Sequence, residues 1–347
     1  MKGVAIGLVG LLAWTLWPQW VIGQEEAAPA APAAAPAQAS AAGVQLKMEP
    51  ELVTVAKDRP STFHALPGKP LEEVLGDGIQ NYLIKGPETL MELAYAYDLG
   101  FNEVVLANPQ TDEWMPPPDS VVKLSTQWII PEALSRLGDL VVNVPEMRLY
   151  HKYNGGRTIE TYPVGVGREG WETPYISTTI VGKKADPTWY VPKSILKEKP
   201  HLPAFVPPGP ENPLGTHAIY LASGDYRIHG TNQPLGVGRR VSHGCMRLYP
   251  EDIITLFGHI QVGSKAHLVN EPVKAGWKGD ALYLEVHPSL EGDENLRVLA
   301  IRAVNRAMER YPDRAVMPDW RLVDQLVRTP DGLPHQISLP GRSLPAS

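Results

Sequence analysis

The chain holds one cysteine, Cys245, and it lies in the sequence window richest in groups able to do chemistry. From Arg227 to Leu248 the residues read RIHGTNQPLGVGRRVSHGCMRL, which sets His229 and His243 around that thiol. A cysteine nucleophile attacks as the thiolate, and a neighbouring imidazole can accept its proton. His229 follows a short β-like segment. The stretch between it and Cys245 carries Pro234, Gly236 and Gly238, enough chain to leave a strand and fold back onto it. Gly244 allows the backbone to approach a substrate closely, and the N–H groups of Gly244 and Cys245 can then point at a developing oxyanion. Other readings of the same residues are an inert core thiol, a structural histidine, and a zinc site built from His229, His243 and Cys245. The window lacks the paired C-x-x-C knuckle that marks zinc sites, so no metal is expected. A papain-like hydrolase would place its cysteine before its histidine. Here His229 comes first, and the downstream His259 and His267 lack a glycine-rich partner loop. A binding protein without catalysis would be favoured by loss of His229 or Cys245, and both are present.

The elements that must position this window have a period of two. Leu140–Val144 and Arg148–Tyr153, separated by Pro145-Glu146-Met147, read as a hairpin. Thr158–Val166, Thr178–Val181, Ala218–Leu221, Tyr226–Ile228 and Ala266–Val269 continue the series. Many short strands with turn residues between them predict a mainly β catalytic domain, sandwich-like or barrel-like. The Pro-rich excursion from Pro187 to Pro213 is too long for an idle connection and predicts a lid or substrate-facing loop. One helix opens at Pro250-Glu251-Asp252, with Ile253, Ile254, Leu256 and Phe257 as its apolar residues. After Leu282–His287 the pattern turns helical from Asn295 to Tyr311, which predicts a helical C-terminal appendage over 272–347.

Ahead of the catalytic segment, expected at 138–271, lie three stretches of different character. Lys2 followed by the apolar run Val4–Trp17, with Val21-Ile22-Gly23 before Gln24, reads as a signal peptide over 1–23. The run is short of the roughly 20 residues of a spanning helix, an uncleaved anchor being the alternative. Residues 24–45 are mostly Ala and Pro and read as an extended tether. Over 79–131 the order is strand (Tyr82–Ile84), helix (from Glu88, with Leu90, Leu93, Ala94 and Tyr97, and Gly100 as its C-cap), helix (Val104–Leu106) and strand (Val121–Leu124). That order, with Asn108-Pro109 between, resembles a LysM module, a small peptidoglycan-binding fold.

Composition narrows the partners. The 35 prolines in 347 residues are about double the usual share of roughly 5%, which argues against a helical bundle. A net charge of −6 without a basic block gives no electrostatic footprint for nucleic acid. An exported chain with a single thiol has no internal disulfide.

Ser242-His243-Gly244-Cys245-Met246-Arg247, preceded by His229-Gly230-Thr231-Asn232, resembles the catalytic signature of the L,D-transpeptidase (YkuD) family. With the LysM-like segment it is most similar to the ErfK/YbiS/YcfS/YnhG-type subgroup. The resemblance runs from about Tyr82 to His287 and includes Asn212-Pro213-Leu214-Gly215 and Asn270-Glu271-Pro272-Val273. It implies that Cys245 attacks the carbonyl of the diaminopimelate-type third residue of a tetrapeptide stem and releases D-Ala. His229 would be the base, oriented by the Gly230 carbonyl. The N–H groups of His243, Gly244 and Cys245 would form the oxyanion hole. Arg247, Ser242 and Asn232 would contact substrate, with Arg239, Arg240, Trp189 and Tyr226 as further contact candidates. The acceptor would be a second stem's amine, the C-terminal lysine of an outer-membrane lipoprotein, or water. No cofactor is implied, and the site of action would be the periplasm.

Overall fold

The structure is a computed structural model that describes residues 61–65, 72–292, 294–314 and 316–339. The signal-peptide and tether segments lie outside the described residues. Among those described, no helix is long and apolar enough to cross a membrane.

Strand β1 (Thr62–His64) belongs to the large sheet, whereas β2 (Val74–Leu83) pairs antiparallel with β3 (Val121–Ile129). Helices α1 (Leu90–Ala96) and α2 (Phe101–Ala107) lie between β2 and β3 in the chain. Thr89 starts α1 through a capping box: its hydroxyl accepts the Glu92 N–H at 3.1 Å, and Glu92 accepts the Thr89 N–H at 2.8 Å. Gly100, expected to end this helix, instead begins the next. It is the N-cap of α2, in extended conformation, and its N–H donates to Glu103 at 2.7 Å. A glutamate three residues past a glycine is an N-terminal signature, and it outweighs the C-cap tendency of glycine. Strand β2 begins ahead of the expected Tyr82, at Val74, with pairs at Val74↔Ile129 and Leu75↔Trp128.

After α3 (Glu132–Leu137) come β4 (Leu140–Asn143), β5 (Arg148–Tyr153), β6 (Thr158–Pro163), β7 (Val166–Gly167), β8 (Ile176–Ala185), β9 (Trp189–Tyr190), α4 (Lys193–Glu198), β10 (Phe205–Val206), β11 (His217–Leu221), β12 (Arg227–His229), β13 (Arg240–Ser242), β14 (Met246–Arg247), α5 (Pro250–His259) and β15 (Lys265–Val269). The expected sandwich or barrel is one nine-stranded mixed sheet in the order β1-β6-β5-β4-β15-β8-β11-β12-β14. Leu140, Val142 and Leu149 at one end share a single core with Ile219, Ile228 and Met246 at the other. The sheet therefore curls around that core, and Ile253 and Leu256 of α5 help to fill it. Side chains alternate across a strand, so Val141 and Tyr150 face the other way, into a second core with Leu90, Leu93 and Val122. The small strand–helix–helix–strand unit is thus packed on the outer face of the sheet.

The C-terminal segment is α/β rather than purely helical. Strands β16 (Val273–Lys278), β17 (Ala281–Val286) and β18 (His335–Gln336) form a sheet, and α6 (Leu296–Arg310) and α7 (Trp320–Arg328) join it around buried Trp277, Leu284, Val304 and Val323. The hairpin β16–β17 was obscured because Lys274 and Glu285, both fully buried here, read as surface residues in the sequence.

Candidate active site

The site grows from the pairing of two short parallel strands. β12 and β14 align Ile228 with Met246 and His229 with Arg247. Ile228 and Met246 are fully buried in the main core. Alternation then sends Arg227 and His229 to the opposite face, together with Arg247 and the Cys245 just before β14. All four line one cleft of about 620 Å³. Asn232, Ser242 and His243 also line it, as do Trp189 and Tyr226. Arg239 does not: its guanidinium lies 5.0 Å from the Phe101 ring centre, on the small N-terminal unit. Arg240 donates to the Gly167 carbonyl at 3.4 Å.

His229 is 4% exposed, and its Nδ1 lies 2.6 Å from the Gly230 carbonyl. A carbonyl only accepts, so Nδ1 carries the proton and Nε2 is left as the basic nitrogen. Burial, followed by the Arg247 guanidinium, pulls this imidazole down to about 3. Burial pushes the Cys245 thiol above its ordinary value, partly offset by a backbone hydrogen bond at Arg227 and the charges of Arg227 and Arg247. The resting pair is therefore a neutral imidazole and a neutral thiol. The thiol rests 3.8 Å from the Asp225 carbonyl.

Hydroxyl groups fix the loop that carries the thiol. Ser242 Oγ donates to the Cys245 carbonyl at 2.6 Å and accepts the Gly244 N–H at 3.1 Å. Thr173 Oγ1 donates to the Gly244 carbonyl at 3.0 Å and accepts the Gly167 N–H at 2.9 Å. Gly244 has φ +97°, and a Cβ there would lie 2.7 Å from the Tyr226 ring, so only glycine fits. One expectation needs correction. The Gly244 N–H, read as an oxyanion donor, is engaged by Ser242. The N–H groups of His243 and Cys245 have no acceptor among the described residues.

The Pro-rich excursion lines the cleft with Ile195, Lys199, His201 and Leu202. Fully buried Asn212 closes its base, donating to the Pro187 and Pro207 carbonyls at 2.7 and 3.0 Å and accepting the Leu214 N–H at 2.9 Å. At its far end Glu198 of α4 grips the loop that carries Cys245. It accepts from Arg168 at 2.8 Å and from His243 Nε2 at 3.1 Å, and the Trp171 ring stands edge-on to His243. Glu198, Arg168, Trp171 and Arg227 were not singled out from the sequence. Arg227 had a signal, since it shares the strand face of His229 two residues on. Glu198 had none, because its partners are 30 and 45 residues away.

The N-terminal unit touches the chain between His229 and Cys245. The Phe101 and Asn102 N–H groups donate to the Val237 and Gly238 carbonyls at 3.4 and 3.0 Å, and the Tyr249 hydroxyl donates to the Leu99 carbonyl at 2.9 Å.

The three residues weighed as zinc ligands do not converge. The one converging trio among the described residues is Glu146, Glu285 and His287, and Lys274 lies within it, 2.8 and 2.7 Å from the two carboxylates.

A thiol, a tautomer-locked imidazole and two open N–H donors in one cleft are the parts of a cysteine acyl-transfer centre. Residues 138–273 match the YkuD family, described as the L,D-transpeptidase catalytic domain. The probable L,D-transpeptidase YcfS of Escherichia coli K12 is 36% identical over 266 residues, 72% of this chain and 82% of that protein. The probable L,D-transpeptidase YbiS of the same strain is 36% identical over 277 residues, covering 75% and 88%. ErfK/SrfK of Salmonella typhimurium, also a probable L,D-transpeptidase, is 36% identical over 264 residues, covering 72% and 83%. The chain belongs to the L,D-transpeptidase family.

Proposed function

We propose that this enzyme is a peptidoglycan L,D-transpeptidase acting through a Cys245 thioester. The observation that carries the reading is the shared face of β12 and β14, where His229, locked by Gly230, opens Nε2 into the cleft that holds Cys245. Because both groups rest neutral, proton transfer accompanies attack instead of preceding it. The thiol turns from Asp225, Nε2 takes its proton, and sulfur adds to the carbonyl of the third, diaminopimelate-type residue of a tetrapeptide stem. The His243 and Cys245 N–H groups receive the oxyanion. The C–N bond breaks, the departing D-Ala amine takes the proton from His229, and the thioester remains. An acceptor amine then attacks, His229 removes its proton, and the thiol leaves reprotonated.

The acceptor is a second stem's amine, giving a 3–3 crosslink, or a lipoprotein lysine. With water the same thioester gives an L,D-carboxypeptidase product. The strand–helix–helix–strand unit serves as a LysM-like glycan-binding module, with half-exposed Trp114, backed by the buried Phe101 ring at 6.1 Å, as a stacking surface. The protein works in the periplasm, where this substrate lies.

The test is D-Ala release from a disaccharide-tetrapeptide, with a second stem, a lysine-ended peptide or buffer as acceptor. Release that is lost in Cys245→Ser supports the reading, and the joined product identifies the acceptor. Release that survives in Cys245→Ser, or that is abolished by a chelator, removes it.

A further inference from the structure

Two arginines flank the thiol, and neither has a full set of partners. Arg247 sits beside His229 across the β12–β14 pair, and Arg227 acts on Cys245 through a backbone hydrogen bond and its charge. The Arg247 Nε is buried with no hydrogen-bond partner, and no carboxylate pairs with that guanidinium among the described residues. Arg227 has one ionic neighbour, Asp225, at 3.7 Å, and the Asp225 side chain is 86% exposed. The acids that line the cleft are Glu211 and Asp225, and neither lies within ion-pair distance of Arg247. Burying a guanidinium without a counter-charge is costly, and a fork of N–H donors matches a carboxylate in two-point geometry.

We propose that Arg227 and Arg247 form a two-arginine carboxylate site that selects donor peptides carrying a free carboxylate close to the scissile carbonyl. The inference rests on the acyl-transfer reading above and adds a selectivity to it. Binding of the anion supplies Arg247 with the partner it lacks and draws Arg227 off its loose contact with Asp225. Two carboxylates of a tetrapeptide donor lie near enough to serve: the terminal carboxylate of the leaving residue, and the side-chain carboxylate of the residue that is attacked. An amide at the occupied position offers one acceptor oxygen, no charge, and two N–H groups turned toward cations. The site then discriminates by leaving its own buried donors unpaired, which is the stronger form of selectivity.

Four donors test this: the acid form, each of the two single carboxamides, and the double carboxamide, each assayed for kcat/KM of D-Ala or D-alaninamide release. For the unsubstituted enzyme the expected result is a loss of about tenfold or more for one of the single amides. The amide that suffers identifies the carboxylate held. In Arg227→Gln the acid-to-amide ratio should shrink to about twofold, whereas Arg227→Lys keeps an intermediate ratio. A ratio cancels any change in thiol reactivity that removing a nearby cation causes. The rate of Cys245 alkylation by neutral iodoacetamide and the unfolding midpoint report separately that the variants are folded and their thiol competent. Equal rates for acid and amide donors in the unsubstituted enzyme would overturn the proposal, as would an undiminished ratio in Arg227→Gln. Failure of every donor to release its terminal residue would instead overturn the acyl-transfer reading beneath it.

Discussion

Replacing Lys274 by methionine should cost the protein several kilocalories. The Lys274 ammonium is buried against Glu146 and Glu285 at 2.8 and 2.7 Å, with side chains 1% or less exposed. It also donates to the Ile129 carbonyl at 2.8 Å and the Tyr150 hydroxyl at 3.1 Å. Glu285 in turn accepts from the Ile129 N–H and from His287, each at 2.7 Å. One network thus ties a strand of the small unit, the catalytic sheet and the C-terminal hairpin together. Removing the cation leaves two buried carboxylates facing each other, and breaking such a pair costs about 3–5 kcal/mol. At about 2–4 °C per kcal/mol the unfolding midpoint should fall by about 10 °C. The deficit should depend on pH. Burial alone would raise the Glu285 carboxyl, but Lys274 and His287 outweigh it and hold the group below its usual range. In the intact protein that stabilisation is present above the unfolded value of about 4.3 and is lost as pH falls through the lower folded value. In Lys274→Met the facing carboxylates instead favour proton uptake, so its deficit should shrink between pH 8 and pH 5. Adding Glu146→Gln and Glu285→Gln should recover much of the loss. A melt within about 2 °C of the parent, or a deficit equal at pH 5 and pH 8, would refute this account of the network.

Three further outcomes follow from the site and the N-terminal unit. With His229 at about 3 and the thiol raised, the neutral pair that reacts is the dominant form across the neutral range, so the acylation rate should be flat with pH there. A limb near 6.5 in stopped-flow acylation would mean the imidazole titrates in the working range. Glu198→Ala should release α4 from His243 and Arg168 and lower kcat/KM by about fivefold with little change in the melt, since the latch is half-exposed. An unchanged kcat/KM would show that the catalytic loop holds its shape without the latch. Trp114→Ala should weaken retention on sacculi in a pull-down while leaving turnover of soluble donors unchanged, and full retention would remove Trp114 from the glycan-binding surface.

The grouping of His229 and Cys245 in one cleft was legible because its signals are local. The alternation that buries Ile228 and Met246 is what presents His229 and Cys245, and the Leu140–Tyr153 hairpin is readable from period two alone. What escaped was long-range or opposed to local tendency. Gly100 carries the usual mark of a helix end, yet Glu103 makes it a helix start. Lys274 and Glu285 look like surface charges until they are brought against Glu146, and with them the β16–β17 hairpin was missed. The N–H of Gly244 could be assigned to the oxyanion only while the position of the Ser242 hydroxyl was unknown. The grip of Glu198 on His243 depends on how the Pro-rich excursion folds back, which no residue spacing encodes.

The central claim is tested most directly by the mass of the intact enzyme after mixing with disaccharide-tetrapeptide and no acceptor. The account predicts an adduct equal to the donor minus D-Ala, located on Cys245 by peptide mapping, removed by hydroxylamine and absent in Cys245→Ser. Stoichiometric D-Ala release with an unmodified Cys245, or an adduct on another residue, would contradict it.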